Sequence, residues 1–114
     1  MLRFVLTIAT VLVGSSLAEA ETVNVKYRGS VDLKPFNCQN ITRSSFISRV
    51  CYDQPNQYMI IQLNSVYYHY CEIPKSTLDA LLAAPSMGQY FNGSIKGSGK
   101  DGPYDCRTHR TPKY

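Results

Sequence analysis

The stretch Val66-Tyr67-Tyr68-His69-Tyr70-Cys71 is the strongest indication of the fold in this sequence. Its β-branched and aromatic residues predict a strand. Residues 46–52 and 58–63 are also rich in β-branched and aromatic residues. Turn-forming residues at 53–56 and 64–65 separate the three segments. The sequence therefore predicts a three-stranded antiparallel meander.

The apolar spacing changes to that of a helix after this last strand. Three leucines recur at helical spacing: Leu78, Leu81 and Leu82. Ser76 is the expected N-cap of this helix and Pro85 its expected end. A second short helix is expected between Ser86 and Asn92-Gly93. The predicted fold class is α+β: a small antiparallel three-stranded meander followed by one or two short helices packed on one face, with disulfide-linked extensions.

Residues 1–20 have the three parts of a secretory signal. They contain a positive charge at Arg3, an apolar run from Phe4 to Val13 and small residues near Ala18 and Ala20. Such a segment is removed on export, here after Ala20 or Ala18. The apolar run is shorter than the roughly 20 residues that cross a bilayer, so no stable membrane anchor is expected.

Four cysteines follow the signal segment: Cys38, Cys51, Cys71 and Cys106. In an oxidising compartment an even number of cysteines in a small chain predicts disulfides, here two. The chain has no Cys-x-x-Cys pair, which argues against a zinc site and against thioredoxin-type redox chemistry. We therefore expect no metal and no cofactor.

The predicted register divides the sheet into two faces. Tight turns would place Tyr52 opposite Gln57 and Leu63 opposite Val66. The core face, which the helix covers, then collects Phe46, Val50, Tyr52, Met59, Ile61, Leu63, Val66, Tyr68 and Tyr70. The second face collects Arg49, Cys51, Tyr58, Ile60, Tyr67, His69 and Cys71. The second face is too apolar to lie in water, so another segment is expected to cover it.

Cys51 and Cys71 lie on this second face, two strands apart. That separation exceeds the distance of about 7 Å between Cα atoms that a disulfide tolerates. Each is therefore expected to bond to a cysteine of an extension, Cys38 or Cys106, and to hold that extension over the second face. The sequence leaves open which extension pairs with which strand.

The chain is mildly basic, with a formal net charge of +4. The charges of its last part are Lys96, Lys100, Asp101, Asp105, Arg107, Arg110 and Lys113. A basic segment of this kind attracts polyanions through a screened, non-specific field. The Gly, Ser and Pro content of residues 93–103 favours a different interpretation, a solubilising and partly disordered tail.

Several motifs taken together resemble the KTSC domain. They are Ser45-Phe46-Ile47, Val50-x-Tyr52-Asp53, Tyr68-His69-Tyr70, Ile73-Pro74, Leu81 and Ser86-Met87-Gly88-Gln89-Tyr90-Phe91-Asn92. The family's central Tyr-x-Tyr is matched by Tyr68 and Tyr70. The family is named for a segment found at the C-terminus of some lysyl-tRNA synthetases, and this association has suggested RNA binding. The signal segment, the cysteines and the extensions depart from its short cytoplasmic form.

The signal segment and the resemblance together divide the chain into a signal peptide (1–20), an N-terminal extension (21–43), a KTSC-like domain (44–96) and a basic C-terminal tail (97–114). The resemblance implies a stand-alone bacterial protein, and the signal segment implies that it is exported, periplasmic or secreted after cleavage near Ala20. Export argues against RNA as the natural partner, which leaves an unknown protein or a polyanionic ligand. The oligomeric state is not indicated.

Tyr67 and His69 are the best candidates for ligand contact, because Tyr68 and Tyr70 of the family motif lie on the core face and are expected to be structural. The basic residues expected to assist binding are Arg49, Lys96, Lys100 and Arg107. His69 has no nucleophile at a diagnostic spacing, and a disulfide would remove Cys71, so no catalysis is expected. The predicted function is a non-enzymatic binding or interaction module of unknown ligand. RNA or polyanion binding through Tyr67, His69 and the basic tail is the alternative.

Overall fold

The computed structural model describes residues 21–97 and 102–114. The predicted signal peptide and Lys100 lie outside these ranges. Within them the fold is mixed α+β, with one six-stranded sheet and two α-helices. The strands are β1 (Thr22–Val25), β2 (Gly29–Asp32), β3 (Asn37–Asn40), β4 (Ile47–Asp53), β5 (Tyr58–Leu63) and β6 (Val66–Tyr70). The helices are α1 (Lys75–Ala83) and α2 (Met87–Tyr90), and α2 continues as a π-helix (Phe91–Lys96).

The predicted meander forms the centre of the sheet, whose strand order is β2-β1-β6-β5-β4-β3. The prediction of only three strands is wrong, because the N-terminal extension adds strands at both edges. Strand β3 pairs with β4, and the hairpin β1–β2 joins β6 through a parallel pairing of Val25 with Tyr67. Strand β3 reads Asn-Cys-Gln-Asn and has no β-branched or aromatic residue, so its composition does not predict a strand.

The register differs from the prediction at one turn. Leu63 pairs with Val66 as predicted, but Tyr52 pairs with Met59 rather than with Gln57. Gln57 instead lies in the turn with a φ of 50°. The shift at this turn is an even number of residues, and side chains alternate with a period of two, so the predicted faces are preserved from Arg49 onward. The register also shifts between Ile47 and Arg49, and Val66, predicted on the core face, is 39% exposed.

The first core lies between the sheet and the helices. It includes Ile47, Val50, Tyr52, Met59, Ile61, Ile73, Leu78, Leu81, Met87, Phe91 and Ile95. Tyr68 and Tyr70 of β6 are partly buried and pack against it. The helix therefore covers the face of the sheet that the alternation of the strands predicts as the core.

The structure agrees with the expected start of the second helix at Ser86 and not with the expected N-cap of the first. The N-cap of α1 is Pro74 and not Ser76, and no side chain caps this end. The hydroxyl of Ser86 caps α2 by accepting a hydrogen bond from the Gln89 backbone N–H at 3.3 Å. A cap side chain of this kind satisfies one of the unpaired N–H groups at a helix start.

Asn92-Gly93 does not end the helical segment as expected. The chain continues as the π-helix to Lys96. Phe91 and Ile95 lie at 1% and 0% exposure in the first core. Burial of two large side chains outweighs the cost of one glycine, which is about 1 kcal/mol in a helix interior.

A second core fills the other face of the sheet, as the apolar character of that face predicts. Its buried members are Val23, Val25, Val31, Leu33, Cys51, Tyr58, Ile60 and Cys71. The first four belong to the N-terminal extension, whose hairpin β1–β2 packs over the face together with the half-buried Phe36 and Cys106. The expectation that another segment covers this face is therefore confirmed.

The structure resolves the disulfide pairing that the sequence leaves open. Cys38 bonds to Cys51 directly across β3 and β4, and Cys71 bonds to Cys106. Cys51 and Cys71 do not bond to each other, as predicted. Two disulfides are consistent with an oxidising, exported location. No helix within the described parts of the chain is long and apolar enough to cross a membrane.

Residues 102–114, here called the C-terminal segment, pack against the domain, so the prediction of a partly disordered tail is wrong for them. The Cys71 backbone N–H donates to the Tyr104 carbonyl at 2.9 Å, and the Arg28 side chain donates to the Pro112 carbonyl. The Tyr114 hydroxyl donates to the carboxylate of the buried Asp53. A buried carboxylate needs such donors, which composition alone does not reveal.

Candidate binding cleft

A cleft of about 720 Å³ opens where three parts of the chain meet. They are the turn between β1 and β2, strand β6, and the C-terminal segment, with the end of the π-helix at one side. The lining residues are Tyr27, Arg28, Tyr68, His69, Tyr70, Lys96, Gly102, Asp105, Cys106, Arg107 and Thr111. This volume is within the range of about 300–1,000 Å³ that small-molecule sites occupy.

The end of the β1–β6 pairing explains how residues from both faces of the sheet line one cleft. Strand β1 pairs with β6 only at Val25 and Tyr67. Beyond Tyr67 no strand of the described ranges pairs with this edge of β6. Tyr68 and Tyr70 on one face and His69 on the other therefore reach the same space.

His69 is held in place by the second core. Its Nδ1 lies 2.8 Å from the hydroxyl of Tyr58, a fully buried residue, and the two rings meet edge to face. Burial, and next the positive charge of Arg28, lower the pKa of His69 from its ordinary value of 6.5. Asp105 acts in the opposite direction and more weakly. The imidazole is therefore neutral at physiological pH.

We expect His69 to titrate below 6.5 in the folded protein. As the pH falls below that value, the unfolded chain binds a proton before the folded chain does, so the free energy of unfolding decreases. Titration of the ring by NMR measures this pKa. Arg28→Gln should raise it by removing a nearby positive charge, whereas Arg110→Gln, outside the cleft, should leave it unchanged. A pKa at or above 6.5 in the unmutated protein would contradict this account.

Arg28 lies against two neighbouring aromatic rings. Its guanidinium carbon lies 5.1 Å from the ring centroid of Tyr58 and 5.3 Å from that of Tyr114. One amino group donates to the Pro112 carbonyl, while Nη1 is buried and has no hydrogen-bond partner within the described residues. A cation–π contact between a guanidinium and an aromatic ring contributes on the order of 0.5–2 kcal/mol and restricts the orientation of the guanidinium.

The acidic residue of the cleft is paired. Asp105 accepts hydrogen bonds from the side chain and backbone N–H of Arg107. These bonds lower the pKa of Asp105 to about 2, so its carboxylate is ionised at neutral pH. Tyr70 behaves oppositely, since burial raises the pKa of its phenol to about 12. Its hydroxyl therefore remains protonated and can donate a hydrogen bond.

Tyr67 and Arg49 lie outside the cleft, although sequence reasoning grouped them with His69. Arg49 donates to the Tyr67 hydroxyl at 3.2 Å and forms an ion pair with Glu21, which lowers the pKa of Glu21. These contacts tie the start of the N-terminal extension to the sheet. The structure thus places Tyr68, His69, Tyr70, Lys96 and Arg107 together at the cleft, and Lys100 lies outside the described residues.

Sequence reasoning missed the residues that the hairpin turn contributes. Tyr27 and Arg28 line the cleft, and the ammonium of Lys26 lies 5.3 Å from the Tyr27 ring and 5.7 Å from the Tyr68 ring. The available signal was the run of basic and aromatic residues directly before Gly29, a residue typical of turns. Tyr27 has a φ of 70°, the left-handed conformation that reverses the chain there.

One cluster at the cleft has the composition of a metal site. Ligand atoms of His69, Cys71 and Cys106 lie within 4.8 Å of one another. The two sulfur atoms are bonded to each other, however, and a disulfide does not supply the thiolates that zinc requires. In its oxidised form this cluster therefore acts as a covalent link and not as a ligand set.

Comparison with known proteins shows that the central part of the chain is similar to a known domain family. The KTSC domain model matches residues 43–98. A crystal structure of a KTSC domain protein from Yersinia pestis superposes with a TM-score of 0.51 at 31% sequence identity, covering 55% of this chain and 89% of that one. Among curated proteins no match was found. The matched range contains β4 to β6 and the helices, whereas the hairpin turn and the C-terminal segment lie outside it.

Proposed function

Because this chain belongs to the KTSC domain family, we propose that it is an exported member of the family that acts as a non-enzymatic binding module through the cleft. The observation that carries the proposal is the composition of the cleft. Strand β6 and the end of the π-helix belong to the family domain, while the remaining sides of the cleft come from the two segments outside the matched range. The extensions thus add a concave site to the family's sheet.

Export to the bacterial periplasm or exterior is part of the proposal. The signal-like pattern of residues 1–20 and the presence of two disulfides support it. A reducing compartment would keep Cys71 and Cys106 as thiols. The C-terminal segment would then lose the covalent link that holds it beside β6.

The state of the polar side chains supports binding rather than catalysis. Cys71 and Cys106 are oxidised and therefore not nucleophiles. His69 Nδ1 is engaged by Tyr58, and the Thr111 hydroxyl donates to the Cys106 carbonyl at 3.2 Å. A hydrolase needs a nucleophile within reach of a base, and these contacts hold both kinds of group in other roles.

The proposal is tested with the labelled mature protein, residues 21–114, and the small-molecule fraction of a bacterial periplasmic extract. We expect NMR shift changes at the amides of Tyr68 to Tyr70 and of Asp105 to Arg107. Thr111→Trp should abolish them, because an indole at that position fills part of the cleft. Thr108→Trp is the matched control, since its hydroxyl also donates to a backbone carbonyl but it does not line the cleft. Absent shifts, or equal shifts in both variants, would contradict the proposal.

Binding of RNA or another polyanion is the second candidate, and the basic side chains of Lys26, Arg28 and Lys96 near the cleft favour it. The sequence predicts Tyr67 as one of the binding residues, but its hydroxyl already accepts a hydrogen bond from Arg49. Its expected signature is an affinity that falls steeply as salt increases. Shift changes that the unfractionated extract produces, that its small-molecule fraction does not, and that disappear after nuclease treatment would favour this candidate over a small ligand.

A further inference from the structure

The charges around the cleft are unequal. Among the described residues, Arg28, Lys96 and Arg107 contribute positive charges to its lining, against the carboxylate of Asp105. Arg107 already forms an ion pair with that carboxylate. Within the described ranges Arg28 and Lys96 have no carboxylate partner, so the cleft carries an excess of positive charge.

The charge of Arg28 is also partly removed from water. Two adjoining tyrosine rings contact the guanidinium, and its Nη1 is buried with no partner in the described residues. A partly buried charge without a counterion is costly, and a bound anion reduces that cost. Because the rings and the Pro112 carbonyl hold the guanidinium in place, little side-chain entropy is lost when an anion binds nearby.

Aromatic surface accompanies this charge. Tyr27 is 85% exposed at the hairpin turn, and Tyr68 lies near it, with the Lys26 ammonium within 6 Å of both ring centroids. Exposed tyrosine rings offer flat apolar area with a polar edge, which suits stacking against another planar group. The hairpin turn and the C-terminal segment bound the cleft on two sides, so a small molecule fits it better than a long polymer.

We propose that the cleft selects a small anion, a carboxylate or a phosphate, attached to a planar aromatic group. Arg28 and Lys96 attract the anionic group, and Tyr27 and Tyr68 contact the ring. This inference rests on the proposed binding function and specifies the ligand class of the same site.

The test compares probes that share one ring system. Naphthyl phosphate, naphthoate, uncharged naphthol and inorganic phosphate are titrated separately into the labelled protein, residues 21–114. We expect at least one of the two aromatic anions to shift the amides of Tyr68 to Tyr70, with an affinity about tenfold or more above those of naphthol and of inorganic phosphate. Whichever aromatic anion binds more tightly identifies the anionic group.

Variants identify the charges involved. Arg28→Gln and Lys96→Gln should each weaken binding of the aromatic anion several-fold and leave naphthol unaffected. Lys96 is exposed, so its substitution leaves the fold intact even if Arg28→Gln destabilises the second core. Lys113→Gln is the matched control, because it removes the same charge outside the cleft lining.

Four results would overturn the inference. Naphthol binding as tightly as both aromatic anions would remove the role of charge, and inorganic phosphate binding as tightly would remove the role of the ring. Polyuridylate, titrated as a fifth probe, would favour the polyanion candidate if it bound at the cleft more tightly than either aromatic anion. No shift at the cleft amides with any probe would reject this ligand class. The extract experiment with Thr111→Trp and Thr108→Trp then decides separately whether the cleft binds anything.

Discussion

Replacing Cys71 by alanine and Cys106 by serine is expected to lower the free energy of unfolding by about 2–4 kcal/mol and to remove ligand binding at the cleft. The disulfide joins residues separated by 35 positions, so its loss increases the entropy of the unfolded chain. It also fastens the C-terminal segment, which forms one side of the cleft. Urea unfolding measures the first effect and NMR titration with the ligand the second.

The other disulfide provides the control for this experiment. Cys38→Ser with Cys51→Ala removes a link between two strands that already pair with each other. That variant should also lose stability, but it should keep the cleft and its ligand, because neither residue lines the cleft. Equal loss of binding in both double variants would mean that general destabilisation, and not the position of the C-terminal segment, controls the site.

Tyr58→Ala is expected to cost about 3–5 kcal/mol of stability, the range found when large aromatic side chains are removed from cores. Tyr58 is fully buried in the second core, and its ring contacts Phe36, Tyr114 and the guanidinium of Arg28. The substitution leaves a cavity at the point where the extensions meet the sheet. Denaturant unfolding of the purified variant measures the loss.

Tyr58→Phe keeps this test measurable if the alanine variant does not fold. It retains the ring and removes only the hydroxyl that bonds to His69 Nδ1, so the expected loss is about 0.5–1.5 kcal/mol. A loss below about 1 kcal/mol for Tyr58→Ala would contradict the existence of a second core, since such a value is typical of surface positions.

The sequence predicts the centre of the fold because the signals there are local. Turn residues at 53–56 and 64–65 separate three apolar runs, and the spacing of Leu78 and Leu81 marks the helix on the core face. The distance between the first and third strands of the meander, β4 and β6, correctly excludes a bond between Cys51 and Cys71. Strand β3 escapes prediction because its pairing with β4, and not its own composition, makes it a strand.

The candidate site is less predictable because it depends on where distant segments meet. Alternation places Tyr67 and His69 on one face, but β1 ends its pairing at Tyr67, which leaves only His69 at the cleft. Arg28 and Asp105 reach the same cleft from opposite ends of the chain. No local pattern relates them, since the Cys71–Cys106 bond and the packing of the hairpin β1–β2 bring them together.

The central claim is that two disulfides hold the N-terminal extension and the C-terminal segment against the KTSC domain of an exported protein. The two segments and strand β6 then form the binding cleft. Disulfide mapping tests it most directly, on unreduced protein recovered from the periplasm or medium of a bacterium that expresses the full chain. The account predicts recovery there without residues 1–20, with linked peptides that contain Cys38 with Cys51 and Cys71 with Cys106. Four free thiols, or a bond between Cys38 and Cys106, would contradict it.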